Sequence, residues 1–289
     1  MTFPRAAVII EAMYPYPLFT IGGFSFDLYD FFLLLGIVAC FLFLLYAFKK
    51  AEFNYDAVST ILIVGLFAIP IGIFFAMLFQ SVYDYIAAPD EGFRLTGRMT
   101  YLGGVIGGAG SYLLIYNLYM HVIAPRTKTK WLQNNANFTL VDALPVIPIA
   151  IVIATAFGRI GCFCAGCCAG NPTDKWFGLA CSSTYPGEKV VPVQLFESLF
   201  LFALAAVMAV LYFRFGFRCN FSVYLIGYGI WRFCIEFARG DDRGSLIGSL
   251  SPSQFWCIIM VLLGIGYIFL YRYVLKPRMH LTPKEEHKE

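Results

Sequence analysis

The chain has 289 residues, of which 60% are hydrophobic, 18% aromatic and only 13% charged, with a mean hydropathy of +0.72. A soluble globule of this length needs far more polar surface to cover its apolar mass, so the composition excludes a water-soluble fold and implies a polytopic membrane protein. The formal charge of +3 comes with no basic, aromatic-laced stripe, which argues against a nucleic-acid partner.

Crossing about 30 Å of hydrocarbon as a helix takes about 20 apolar residues. Runs of that kind predict spans near Leu28–Phe48, Ala57–Gln80, Leu102–His121, Val141–Arg159, Val193–Phe213, Asn220–Phe237 and Ser253–Tyr273. The expected fold class is therefore all-α, with about seven transmembrane helices and a long loop between the fourth and fifth. Pro70, Pro145 and Pro148 are expected to kink their helices without abolishing them, because neighbouring groups can satisfy the freed backbone. The segment before the first span is too polar and proline-rich for a cleaved signal peptide.

The basic residues Lys49, Lys50, Arg126, Lys128, Lys130, Arg214, Arg218, Arg272, Lys276 and Arg278 fall on one side of this arrangement. The positive-inside rule assigns that side to the cytoplasm and the N-terminus to the outside. Asp84, Asp90, Glu91, Asp174, Glu188, Asp241, Asp242 and the loop from Cys162 to Val191 lie opposite, so any chemistry is expected at the outer face. No linker, low-complexity tract or internal repeat divides the chain. Residues 1–275 read as a single membrane domain, and 276–289 as a polar cytoplasmic tail.

The polar residues inside or beside apolar runs are the candidates for function. Arg159 ends the fourth span, and a cation near lipid costs about 2.5–3.5 kcal/mol at the bilayer centre, so it persists where something anionic meets it. Arg232, Glu236 and Arg239 are spaced i, i+4, i+7 and share one stripe of a helix. For Arg232 and Glu236 the competing readings are an ion pair that locks helices and a wet binding site; Arg239, with only Asp241 and Asp242 near it in sequence, reads as a ligand for an anionic group. Gln194 and Glu197 share a face one turn apart at the start of the fifth span, behind Pro192 at the helix entry. They serve either as an interhelical lock and an arginine partner or as part of a site. Gly103, Gly104, Gly107, Gly108 and Gly110 suit close helix approach, and bare N–H groups at a helix start also suit an anion.

Cys162, Cys164, Cys167, Cys168 and Cys181 form a thiol-rich stretch. On an oxidising face they read as one or two disulfides, as packing, or as reactive thiols. Their C-x-C-x-x-C-C spacing matches no common structural zinc pattern and no histidine is near, so no metal is expected. Cys40, Cys219, Cys234 and Cys257 read as small buried residues.

At these residues the chain resembles the prolipoprotein diacylglyceryl transferase family, over nearly its whole length. The elements occur in the family's order: Phe26-Asp27-Leu28-Tyr29, Met99-Thr100-Tyr101-Leu102-Gly103-Gly104, Gly158-Arg159-Ile160-Gly161, Pro192-Val193-Gln194-Leu195-Phe196-Glu197, and Arg232 to Asp242. Leu102 stands where the family has His, Cys162, Ala165 and Cys167 stand where it has Asn, Asn and Glu, and Val191 stands where a His is common. The chain thus looks like a divergent, cysteine-rich member.

The resemblance implies transfer of the diacylglyceryl group of phosphatidylglycerol to the thiol of a prolipoprotein lipobox cysteine at the outer face of a bacterial plasma membrane, in lipoprotein biosynthesis. The implied partners are that membrane lipid and the prolipoprotein signal peptide. Arg159 and Arg239 would clamp the phosphate, with Gly103, Gly104, Gln194, Arg232 and Glu236 contributing to lipid binding. His121, His280 and His287 lie at a cytoplasmic helix end or in the tail. A general base would come from Glu197, Glu236, Tyr29 or a loop thiol. No cofactor is implied, because the reaction transfers no electrons. The alternatives are a paralogue acting on another lipid or acceptor, and a thiol or disulfide redox membrane protein using Cys162–Cys168. A transporter is disfavoured by the lack of matching broken segments in two halves.

Overall fold

The computed structural model describes residues 18–21, 24–51, 55–95, 99–123, 126, 140–240 and 250–276. Lys128, Lys130, Asp241, Asp242, Arg278, His280, His287 and the polar tail lie outside the described residues. Each expected span overlaps a helix: α1 Leu28–Lys50, α2 Tyr55–Ala87, α3 Tyr101–Leu118, α4 Ile147–Cys164, α5 Val193–Phe215, α6 Asn220–Ile235 and α7 Pro252–Leu270. Among the described residues, five helices are long and apolar enough to cross a membrane, namely α1, α2, α4, α5 and α7 with its following turn. The protein is an all-α polytopic membrane protein. A short hairpin that the apolar runs did not announce precedes α1, with β1 Phe19–Ile21 antiparallel to β2 Phe24–Phe26.

Two boundaries differ from expectation in ways that matter for the site. The expected fourth span from Val141 is broken: Leu140–Ala143 makes a single turn, and α4 starts at Ile147 with Pro148 in its first turn, where its missing N–H breaks no helical bond. The helix then runs on to Cys164, so Arg159, Cys162 and Cys164 are helical rather than interfacial or in a loop. Likewise, α6 ends at Ile235 and tightens into a 3-10 turn, Glu236–Ala238, leaving Arg239 extended. Pro70 sits inside the 33-residue α2 without ending it.

The chain divides into two compact units, one comprising residues 1–47 and 141–279 and the other 48–140 and 280–289. The second is centred on the α2–α3 pair. A Cβ added to Gly103 would stand 2.7 Å from the Phe75 carbonyl and 2.7 Å from Phe79 Cβ, and one on Gly72 would stand 3.0 Å from Gly108 Cα. The glycines therefore let two backbones approach, as small residues do where no solvent drives helices together. Thr100 reinforces the pair, its amide and its hydroxyl both donating to Ala76 O at 3.1 and 3.0 Å.

In the first unit, Ile149, Val152 and Ala156 of α4, Leu201 and Met208 of α5, and Tyr224 of α6 form the buried core. Buried polar groups fix its register. Ser198 donates to Ala156 O at 2.9 Å, tying α5 to α4, and Asn220 donates to Pro145 O at 3.0 Å and Met208 O at 3.3 Å. With no water available in hydrocarbon, such bonds discriminate strongly against slipped packings.

Candidate active site

Two buried glutamates of the first unit each organise cations. Glu197, on the second turn of α5, is 1% exposed; its Oε2 lies 3.1 Å from Arg159 Nε, and its Oε1 accepts from Tyr228 OH at 2.7 Å. Arg159 and Tyr228 thus share the Glu197 carboxylate, which joins α4, α5 and α6 at one polar point. Glu236, on the 3-10 turn after α6, pairs with Arg232 Nη2 at 2.8 Å and stands 3.8 Å from Arg239 Nε. Its Oε1 accepts from Ser251 Oγ at 3.0 Å. Ser251 is itself fixed as the N-cap of α7, in a reciprocal capping box with Gln254. Arg232 and Arg239 are each 8% exposed, and Arg232 Nη1 has no protein hydrogen-bond partner among the described residues.

Of the competing readings, the ion pairs are formed, Arg232 with Glu236 and Glu197 with Arg159, and both hold arginines in place in a low-dielectric setting. Paired burial of this kind costs little once made, whereas removing one partner strands the other at about 3–5 kcal/mol. Arg239 owes its position to the loop between α4 and α5. Asn171 N donates to Ala238 O at 2.9 Å, Gly240 N donates to Ala169 O at 3.3 Å, and Gly170 faces Arg239 in an antiparallel bridge. This contact requires glycine: a Cβ on Gly170 would stand 2.5 Å from Ala238 O and 2.8 Å from Val191 Cβ, and one on Gly240 2.8 Å from Gly170 O.

The same loop folds the thiols together. All nine cysteines are free. Gly166, at φ 65°, reverses the chain after α4, and Cys168, at φ 61°, is the only non-glycine in the left-handed region among the described residues. Cys167 N donates to Cys162 O at 3.1 Å, and the sulfurs of Cys162, Cys167 and Cys168 all lie within 4.8 Å of one another. Gln194 Nε2 donates to Cys167 O at 2.7 Å, which ties this turn to α5. The neighbouring Cys162 and Cys167 thiols, then Arg239 beside it, hold the Cys168 thiol well below the usual range against the effect of burial. Cys167 is pushed up by its hydrogen bonds to Cys162 and Cys168. Tyr29 stands beside Cys162, Cys167, Cys168 and Arg159, brought there because α1 packs against Gly161, whose Cβ position lies 3.2 Å from Tyr29 Cδ2.

Of the residues expected at a site, Arg159, Glu197, Gln194, Tyr29, Arg232, Glu236, Arg239, Cys162, Cys167 and Cys168 all belong to this one unit. Cys164 and Cys181 are buried apart from the trio; Cys181 packs with Ala169 and Val190, and burial pushes its thiol up to about 11. Gly103 and Gly104 belong to the other unit, where their visible work is helix packing. Tyr228 and Ser251 are additions. Tyr228 extends the Arg232–Glu236 stripe back by one turn, a signal present in the sequence, and Ser251 is readable as a cap from the Ser-x-x-Gln spacing.

The fold and site define a polytopic membrane protein that holds Arg159 and Arg239 beside a cluster of thiols, with Arg232 on the same glutamate as Arg239, an arrangement suited to an anionic group. Family comparison is specific: the model for prolipoprotein diacylglyceryl transferase matches residues 17–270, and the chain belongs to that family. The chain is 30% identical over 253 residues to the phosphatidylglycerol–prolipoprotein diacylglyceryl transferase of Clostridium tetani, covering 86% of this chain and 94% of the relative. It is 30% identical over 268 residues to the protein of that name from Dehalococcoides mccartyi, covering 88% and 92%. A third relative, transferase 2 of Clostridium perfringens, is 30% identical over 260 residues, covering 87% and 92%.

Proposed function

We propose that this protein transfers the diacylglyceryl group of phosphatidylglycerol to the thiol of a prolipoprotein lipobox cysteine, at the outer face of a bacterial plasma membrane, with its C-terminus in the cytoplasm. The observation that carries the reading is the pair of buried glutamate anchors that preset Arg159 and Arg239 near the thiol cluster. A phosphodiester oxygen meeting such guanidinium groups gains charge-assisted, planar hydrogen bonds, and Arg232 Nη1 has a donor to spare. In the reaction the acceptor sulfur attacks the terminal glyceryl carbon, the carbon–oxygen bond to phosphate breaks, and its electron pair leaves on the phosphate. The acceptor's proton ends on the released glycerol phosphate. Preset cations lower the barrier because charge grows on the leaving oxygen in the transition state.

The geometry also narrows the acid–base roles. Glu197 and Glu236 are committed to arginines, tyrosine and serine, which suits them to positioning rather than to proton abstraction. Tyr29 and the thiols remain as the groups nearest the acceptor's proposed place. The test is reconstitution in vesicles of phosphatidylglycerol with a lipobox peptide. Labelled diacylglyceryl is expected on the peptide thiol, and it is expected to vanish with Arg239→Gln. Full transfer by that variant would remove the phosphate-clamp role, and no transfer by the folded wild-type protein would overturn the reading.

A further inference from the structure

The geometry points to a metal site: Cys162, Cys167 and Cys168 bind one zinc ion, whose fourth position is taken by the acceptor thiol. The inference rests on the transferase reading for the identity of that fourth ligand, and on the structure alone for the other three. Zinc–thiolate bonds are about 2.3 Å, so a tetrahedral site has sulfur–sulfur edges of about 3.8 Å. The three sulfurs already lie within 4.8 Å of one another, and about an ångström of side-chain rotation closes them on an ion.

Three further observations support a built site. The cluster combines the last turn of α4 with a reversal whose second left-handed residue is Cys168 itself, a conformation that costs about 1 kcal/mol or more in a non-glycine residue and persists only where its surroundings over-determine it. The turn is held from outside by the Gln194 bond to Cys167 O and by the Cys167 amide bond to Cys162 O. Three thiolates around a dication carry one net negative charge, and Arg239 stands beside Cys168, supplying the compensating cation that such a centre needs in a poorly solvated place.

The chemistry fits the reaction. Three protein ligands with one open position are the form that zinc takes in catalytic rather than structural sites, and a thiol that coordinates zinc is deprotonated outright. The acceptor would enter as R–SH, lose its proton as sulfur binds zinc, attack the glyceryl carbon, and leave as a thioether, a poorer ligand that vacates the position. No electrons are transferred, and the proton is taken up by the departing phosphate. Zinc would do the activation that a base otherwise performs. Cys162 and Cys167 are then ligands, and Tyr29 is a neighbour that shields them.

The experiment uses the full chain, purified anaerobically from membranes in detergent. Zinc is measured directly, then exchanged for cobalt, and the sulfur neighbours of the metal are counted by X-ray absorption. We expect one zinc per chain, a sulfur-to-cobalt charge-transfer band, three sulfur neighbours rising to four when lipobox peptide is added, and loss of band and metal in Cys162→Ser and Cys168→Ser but not in Cys40→Ala. Chelation should stop transfer, and added zinc should restore it. Absence of bound metal, or an intact mass two hydrogens light that reports a disulfide within the trio, would overturn the site. Three sulfurs that stay three with peptide, or transfer unaffected by complete chelation, would overturn the activating role. Metal bound as described by a protein that transfers nothing would leave the site standing and overturn the transferase reading. The cobalt titration and sulfur count are made on the wild-type chain, so they decide the matter even if a serine variant fails to fold.

Discussion

The substitution Gly170→Ala tests whether the loop, rather than α6, sets the position of Arg239. The added methyl carbon would lie 2.5 Å from Ala238 O, 2.8 Å from Val191 Cβ and 2.8 Å from Val191 O. Two of these are backbone atoms held by hydrogen bonds, Ala238 O in the bridge that carries Arg239 and Val191 O on the Gly170 amide, so no side-chain rotation relieves the overlap. Reaching ordinary contact requires the Ala238–Gly240 strand to retreat by about an ångström, and overpacking of this kind costs about 1–3 kcal/mol. A displacement of that size at a positioning group can lower a rate by about 10²-fold. The assay is diacylglyceryl transfer in phosphatidylglycerol vesicles, with kcat separated from KM. The expected result is a fall in kcat of about two orders of magnitude, with a lower unfolding temperature in detergent. The control is Gly266→Ala, whose Cβ would meet nothing within 4 Å and which should change neither. Wild-type kcat in Gly170→Ala would show that the bridge to the loop does not hold Arg239.

Arg159→Gln should abolish transfer and also destabilise the fold by about 3–5 kcal/mol, because it strands the 1%-exposed Glu197; adding Glu197→Gln should restore thermal stability without restoring transfer, and a double variant that transfers would refute the role of Arg159. Ser251→Ala removes both the cap of α7 and the hydroxyl on Glu236 Oε1; a loss of about 1 kcal/mol is expected, seen as a lower unfolding temperature, together with reduced transfer, whereas unchanged activity would make Ser251 a cap alone. Gly103→Ala should weaken the α2–α3 pair by about 1–3 kcal/mol through its overlap with Phe75 O and Phe79, read by crosslinking between α2 and α3; unaltered crosslinking and a lost affinity for lipid would assign Gly103 to binding instead.

The helices were legible because their signal is a sum. Twenty apolar residues in a row outweigh any single contrary residue, which is why α2 runs through Pro70. Boundaries answer to single residues instead. The start of α4 was misplaced because Pro145 and Pro148 permit either a kink or a fresh start, and the turn at Leu140–Ala143 takes the second course. The β1–β2 hairpin escaped because its strands are three residues long, too short for a period of two to register. At the site, Arg232 and Glu236 were found because helical spacing places them together. Tyr228 was one turn further along the same stripe, and the apolar character of its neighbours hid it.

Pairings across the chain were harder to read, and the thiols show why. Their C-x-C-x-x-C-C spacing fits no metal pattern because the common patterns assume one kind of backbone between the ligands. Here Cys162 is on a helix, Gly166 turns the chain with a left-handed residue, and Cys168 repeats that conformation where a cysteine would not be expected to adopt it. Only the second reversal brings the third sulfur back over the first, and nothing in the local sequence demands it. Two residues further on, Gly170 admits the Arg239 strand at a distance closed to any other residue, and that contact fixes where the turn must end. The trio and the Arg239 strand are therefore linked through one short stretch of loop: the contact that holds Arg239 adjoins the turn that gathers the thiols, so a change at Gly170 should perturb both together.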